Sequence, residues 1–415
     1  MVDSYSQRVP SKGLHDLHAH ISGSVSSKDL FDLMASNEGN QQYLERLTAL
    51  TGSFFPDFAN SILTSGYTDK LRQEFHEKFT YGEDKKRLDK GNSFVNILSR
   101  FPLINFVLEN GDTRSAAAEK ICYTAVSEGV SYIELRADPF SPVRAGTAKN
   151  PVDVIRQYVS GIKSAVDSTD GFEANLTLSI AKQHYVDTSG SPDQKRLSEL
   201  ENGLYTIAKT INRDDDLSRF VVGLDAVNRE VLPLGYLKKS FDLMRDECGL
   251  VSVPHAGESP RSIEEGLENI LSSIYDLGAR RIGHALAAVV DPYNYIGKVD
   301  DFGVRYTEKR ADRIYELQQL TLMEMVSSGV AVETNPTANL MVSDMKSLRD
   351  HPVDRFIRKG IPVVIGTDDK GIFGKSLAEE IYSISKAKDF SQETVSSLVE
   401  NSKKYSIKSL TPGNR

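Results

Sequence analysis

The sequence predicts a (β/α)8 barrel with a large helical insertion after the first strand. Three observations carry that expectation. Short segments rich in β-branched residues alternate along the 415-residue chain with longer stretches of helical periodicity. The short segments are nearly continuous in apolar character, as parallel strands covered on both faces are. Histidines and carboxylates recur where these segments end, the face on which a barrel of this kind presents its chemistry.

Eight strands are expected, at residues 13–20, 130–138, 174–182, 220–227, 250–257, 280–286, 330–336 and 361–369. Helical patterns lie between them. "TRSAAAEKICYTAVSEG" spans 113–129 and ends on Gly129 as a stop. In 151–167, Val154, Ile155, Tyr158, Val159, Ile162 and Val166 share one face. A helix at 261–278 follows the fifth strand, and one at 317–329 precedes the seventh. Helices near 376–389 and 391–406 complete the outer ring, with right-handed crossovers throughout.

The first connection, residues 21–129, is far longer than the others, and its helical insertion is placed at about 26–112. Within it "FVNILSRFPLINFVLEN" (94–110) is strongly apolar, with Pro102 a kink or break. Two readings of the insertion stand: a cover over the barrel mouth, or a bundle packed on the side. "GEDKKRLDKGN" (82–92) reads as a solvated charged stretch. Residues 1–12 are expected as a tail and 13–415 as a single domain.

Composition narrows the functional classes. Hydrophobic residues make up 39% of the chain, ordinary for a folded protein. A net charge of −8 argues against nucleic acid as a partner but leaves a small nucleobase substrate open. The two cysteines, Cys122 and Cys248, are too far apart in sequence for a C-x-x-C metal site, and no disulfide framework is expected. The N-terminus lacks the apolar core of a secretory signal, and no run is long enough to span a membrane, so a reducing cytoplasm is the expected compartment.

The stretch "DLHAHISGS" (16–24) sets His18 and His20 one residue apart at a strand end. Side chains two apart in a strand share a face. The pair therefore reads either as a polar surface strand or as two ligands of one metal. The other strand ends bear on that choice. The fifth carries "PHAGE", with His255 and Glu258; the sixth carries "IGHA", with His284; the eighth carries "GTDDKG", with Asp368 and Asp369. Four of the eight histidines thus fall on the face where they can meet, while His15, His76, His184 and His351 are scattered. By alternation His15 shares a face with Leu17 and Ala19, opposite His18 and His20. Three imidazoles and a carboxylate suit Zn²⁺ with a water completing its shell. Glu258 also admits a plainer role, as a carboxylate stabilised at a helix start.

The ordered set "DLHAHISGS", "GVSYIELRADP", "HAGE", "RIGHA" and "GTDDKGIF", across residues 14–375, resembles the adenosine/AMP deaminase family of metal-dependent amidohydrolases. The resemblance implies that His18, His20, His255 and Asp368 bind one Zn²⁺ per chain. It implies that Glu258 protonates the purine ring nitrogen, that His284 orients and helps activate the attacking water, and that Asp369 contacts the far ring nitrogen. His20, Ser22, Asn228 and Lys370 fall at substrate-contacting positions. The chemistry needs these types: a metal to make water nucleophilic at neutral pH, and a buried acid of raised pKa beside the ring.

Three positions depart from the adenosine-specific pattern. Ser22 replaces an aspartate that meets the sugar 5′-hydroxyl. Asn228 replaces a glycine and is expected to narrow or re-aim the pocket. Lys370 replaces a proline. A neutral Ser22 and a cationic Lys370 suit a 5′-phosphate, and "DDKG" is similar to members that deaminate N6-substituted AMP, whereas "HAGE" is similar to the adenosine members. The expected partner is a purine nucleoside or nucleotide, and oligomeric state is not legible. The leading function is hydrolytic deamination of an aminopurine nucleoside. The alternatives are a deaminase of AMP or N6-substituted AMP, a non-catalytic nucleoside-binding member, and an amide or lactone hydrolase. A binuclear metal class is disfavoured because "GLDAVNRE" lacks the bridging lysine; Lys182, one strand earlier, reads as a surface or rim cation. The cytidine-type pattern of H-x-E with P-C-x-x-C is absent.

Overall fold

The computed structural model describes residues 9–35, 41–82, 93–343 and 345–410; most of the expected tail and of the charged stretch 82–92 lie outside the described residues. Strands β1 (Leu14–His20), β2 (Val130–Ala137), β3 (Glu173–Ala181), β4 (Val221–Val227) and β5 (Val251–Ser252) pair in that order, all parallel. Strands β6 (His255–Ala256), β7 (Arg281–His284), β8 (Ala331–Thr334) and β9 (Val363–Ile365) form a second parallel ladder.

β5 and β6 are two pieces of the fifth expected strand. Pro254 lies between them and has no N–H to give to a ladder. The pieces stay in line, because Val253 N donates to Leu224 O and Gly283 N donates to Pro254 O, both at 2.9 Å. At the opposite seam His20 N donates to Asp368 O, and Asp368 N donates to His18 O, both at 2.8 Å. The two ladders therefore meet at both seams, giving the (β/α)8 arrangement.

β1 does not keep the strict alternation expected of it. Its register against β2 shifts between Asp16 and Ala19, so three steps of β1 face two of β2. Such an irregularity rotates the residues beyond it. Leu17 consequently packs with Tyr132, Ala331 and Val364, an inner layer drawn from β1, β2, β8 and β9, rather than sharing a face with Ala19. His15, whose ring centroid is 5.2 Å from that of Tyr132, lies on the same side as this layer, at the opposite end of β1 from His20.

The helix Pro151–Asp167 has the expected bounds and is capped by Asn150, whose side chain accepts from Asp153 N. It packs against the helix Gly111–Ser127 so closely that a Cβ at Gly161 would stand 2.0 Å from Ser115 O. The helix Glu308–Ser328 begins nine residues before the expected 317, capped by Thr307. Its first turns, "EKRADR", carry too little apolar periodicity to announce it. Between β1 and β2, the 94–110 segment breaks into helices Ser93–Leu98 and Phe101–Val107, with Pro102 in the first turn of the second. The helices of this connection share an aromatic core in which Phe58 and Phe75 have centroids 4.8 Å apart. Tyr81 N donates to Ile372 O at 2.7 Å, which ties this bundle to the short helix Lys370–Phe373 after β9. Among the described residues no helix is long and apolar enough to cross a membrane, and neither cysteine is in a disulfide.

Candidate active site

The strand ends bring His18, His20, His255, His284 and Asp368 together. The Nε2 atoms of His18 and His20 stand 3.1 and 3.2 Å from His255 Nε2. Asp368 Oδ1 lies 3.5 Å from His20 Nε2 and 3.9 Å from His18 Nε2, and Asp368 Oδ2 lies 3.7 Å from His284 Nε2. The backbone is bent to achieve this. His284, Ala285 and Asp368 have φ of 63°, 51° and 59°. Non-glycine residues held in the left-handed region cluster where geometry serves function.

Buried carboxylates orient the imidazoles. His18 Nδ1 donates to Glu333 Oε2 at 2.7 Å, and His255 Nδ1 donates to Asp225 Oδ1 at 2.9 Å. Asn335 Nδ2 donates to Asp368 Oδ2 at 3.0 Å. Glu333 and Asp225 are in turn joined by Arg136, and Arg281 links Glu333 to Glu134, all fully buried. Burial alone would raise the pKa of Asp225, but His255 and Arg136 beside it outweigh that and hold the carboxyl below its usual range. Hydrogen-bonded charge networks of this kind are costly to break from one side.

These residues fit a metal ion. With the two Nδ1 protons given to carboxylates, His18 and His255 turn lone-pair nitrogens toward each other. Lone pairs crowded at such distances repel unless a cation lies among them. Burial, with Arg136 or His255 adding to it, also keeps His18 and His20 well below the usual histidine pKa, the neutral form that ligation requires. Three imidazole nitrogens and one carboxylate make a donor set suited to a divalent cation, and second partners such as Glu333 and Asp225 are typical of metal-holding histidines.

Glu258 projects beside this cluster, its Oε1 3.5 Å from His284 Nδ1 and its side chain 18% exposed. Burial, then Asp368, raises its pKa to about 7. The turn that carries it is clamped by buried Glu230, which accepts from the backbone N–H groups of Gly257, Glu258 and Ser259 at 2.9, 2.7 and 3.1 Å. Asp369 is also shifted well above the carboxylate range, first by burial and then by Asp368 and Glu258. It packs on Gly23, where a Cβ would fall 1.7 Å from Asp369 Oδ1, so only glycine fits.

Lys182 is not the surface or rim cation expected. It is fully buried, and its Nζ donates to His255 O at 3.1 Å. The chain leaves β3 in a short 3-10 turn (Lys182–Tyr185), which swings this side chain inward.

The substrate positions fall differently. Ser22 is half-buried in the short helix Ile21–Ser24. Asn228 is exposed and adopts φ 68°, a conformation asparagine tolerates better than most residues. Lys370 turns its ammonium to the Glu128 carboxylate, at the end of the helix Gly111–Ser127, and is not brought to the histidine cluster. Sequence reasoning missed Asp225, Glu230, Glu333, Arg136 and Asn339, and misread Lys182. For most of them the available signal was a charge interrupting an otherwise apolar strand or strand end.

The family model described as "Adenosine deaminase" matches residues 50–411. The chain is 24% identical over 392 residues to an adenosine deaminase of Shewanella loihica, covering 94% of this chain and 92% of that one. Among solved structures, it superposes on an amidohydrolase from Burkholderia ambifaria with bound Zn, with a TM-score of 0.62, 16% identity, and 95% and 85% of the two chains covered. It also superposes on the Arabidopsis N6-mAMP deaminase, with a TM-score of 0.61, 18% identity, and 96% and 94% covered.

Proposed function

The chain belongs to the adenosine deaminase family, hydrolases of the C–N bond in cyclic amidines, and from that premise we propose that it deaminates an aminopurine nucleoside, adenosine-type to inosine-type plus ammonia. One Zn²⁺ per chain would be held by His18, His20, His255 and Asp368. Zinc in such a set supplies Lewis-acid chemistry that makes water nucleophilic near neutral pH.

The observation that carries this reading is Glu258, an acid with a pKa near 7 standing beside the metal-ligand cluster. When water adds to C6 of the purine, the C6–N1 double bond yields its electron pair to N1. Glu258 gives its proton there, and the population protonated at neutral pH makes it competent. Asp369, whose carboxyl burial, then Asp368 and Glu258, hold well above the usual range, meets a ring nitrogen on the far side and fixes the base. His284 faces the same space from β7. The amino group takes the proton that the adding water gives up and leaves as ammonia, and as C6 becomes a carbonyl its hydroxyl proton returns to Glu258. The acidic net charge suits a small-molecule partner rather than nucleic acid, and a chain of only two cysteines far apart in sequence suits a reducing cytoplasm.

The second reading, AMP or N6-substituted AMP, draws on Ser22, on "DDKG" and on the likeness to the N6-mAMP deaminase. The Lys370–Glu128 pair weighs against it, because it occupies the cation that would meet a phosphate. Ammonia release from adenosine, deoxyadenosine, AMP, N6-methyl-AMP, adenine and guanine, with and without chelator, decides. Turnover of adenosine that chelation abolishes and zinc restores is expected. Preference for the nucleotides would establish the second reading, and release from none of the panel would end both.

A further inference from the structure

His284 stands in the site just proposed, and its role there rests on that reading. A chain of buried hydrogen bonds reaches it from the segment that follows the helix Pro336–Val342. It begins at Val353, whose backbone N–H donates to His351 Nδ1 at 3.2 Å. A backbone N–H only donates, so His351 Nδ1 accepts and the ring carries its proton on Nε2. His351 is fully buried, and burial, then Lys388, presses its pKa to about 3, in keeping with a neutral ring.

His351 Nε2 lies 3.1 Å from the Asn339 side chain. The donor on His351 requires the amide oxygen there, which fixes the orientation of an amide whose two ends are otherwise interchangeable. Asn339 Nδ2 then faces His284 Nδ1 at 2.7 Å and donates to it. A protonated Nδ1 would set two donors head to head at that distance. His284 Nδ1 therefore carries a lone pair, and the proton of the neutral ring sits on Nε2. The approach of Glu258 Oε1 to the same Nδ1, at 3.5 Å, is the longer of the two. His284 Nε2 is buried, has no hydrogen-bond partner within the protein, and lies 3.7 Å from Asp368 Oδ2.

We propose that Asn339 and His351 are positioning residues that lock His284 as the Nε2–H tautomer, so that it meets the reacting centre as a hydrogen-bond donor and not as a proton acceptor. The arrangement assigns His284 to orienting the oxygen nucleophile and stabilising charge on it. The proton that the nucleophile loses passes to the departing amino group, which needs it to leave as ammonia, and not to His284.

The test uses the full chain, zinc-loaded and labelled with ¹⁵N-histidine. Long-range ¹H–¹⁵N correlation spectra are expected to give His284 and His351 the Nε2–H pattern, assigned by loss of each signal in His284→Asn and His351→Asn. In Asn339→Asp a carboxylate takes the place of the amide donor and accepts from Nδ1–H, so His284 should switch pattern. Zinc content and KM should hold within about threefold while kcat falls by about 10²–10⁴, as when a catalytic imidazole is held in the wrong tautomer. Asn339→Ala, which removes the orienting amide without reversing it, should lie between the two. An Nδ1–H pattern for His284 in the wild-type protein overturns the proposal, as does a switched Asn339→Asp variant with wild-type kcat. The tautomer spectra stand even if no purine is deaminated, so failure here is distinct from failure of the functional reading.

Discussion

One carboxylate oxygen of Glu230 accepts the backbone N–H of Glu258 at 2.7 Å and that of Ser259 at 3.1 Å. The other accepts Gly257 N at 2.9 Å and Asn269 Nδ2 at 3.0 Å. The acid thus stands on a turn whose amides are all held by one buried anion. In Glu230→Gln an NH₂ group must confront donors that had an acceptor. That change should cost about 1–3 kcal/mol of stability. It should also lower kcat with metal content retained. Urea denaturation, metal analysis and ammonia release, run together, check it; unchanged kcat would separate the clamp from the acid.

Glu258→Gln preserves shape and removes the transferable proton. Turnover should fall by about 10²–10⁴ while zinc stays bound. Metal analysis beside an ammonia assay measures both, and comparable turnover would remove Glu258 from the mechanism.

His255→Ala should lose its metal on dialysis, since three donor atoms meet at that ring. Asp225→Asn keeps the ring but weakens the group that orients it, and metal affinity should drop about 10–100-fold. Competition with a chromogenic chelator ranks the two. Full occupancy in His255→Ala would strike it from the ligand set.

Lys370 is already paired with Glu128. Lys370→Met should therefore change kcat/KM for adenosine and for AMP by the same factor. A loss confined to AMP would mean that the ammonium leaves Glu128 for a phosphate.

His351 titrates at about 3 in the fold, against a usual 6.5. The unfolded chain takes up this proton below about pH 6.5, and the folded chain does not until about pH 3. Stability from this group is complete above the higher value and is lost as pH falls toward the lower, at up to about 1.4 kcal/mol per unit. Between about pH 7.5 and pH 5 the wild-type protein should lose about 2 kcal/mol more than His351→Asn. Urea midpoints at the two pH values measure the difference, and equal losses would place the proton uptake elsewhere.

The strand ends were legible because histidine is rare, and because "DLHAH", "HAGE", "IGHA" and "GTDD" each break an apolar run at the same relative place. The supporting groups were harder to read. Asp225, Glu333 and Arg136 lie within strands, where each looks like a single polar interruption; only the pairing of distant strands reveals that they neutralise one another. Lys182 was misplaced because its direction depends on a 3-10 turn that periodicity does not announce. The β1 irregularity escaped notice for a related reason, since register belongs to a pair of strands and not to either alone. The role of Lys370 turned on Glu128, more than two hundred residues away.

The backbone links between His18, His20 and Asp368 join the first strand of the chain to its last. A growing polypeptide that has not yet reached residue 368 lacks both the acidic donor and the seam that holds the first two histidines in place. On the ligand set proposed above, a prematurely terminated product would carry only part of the donors, so the site would be completed only when the last strand has joined the first.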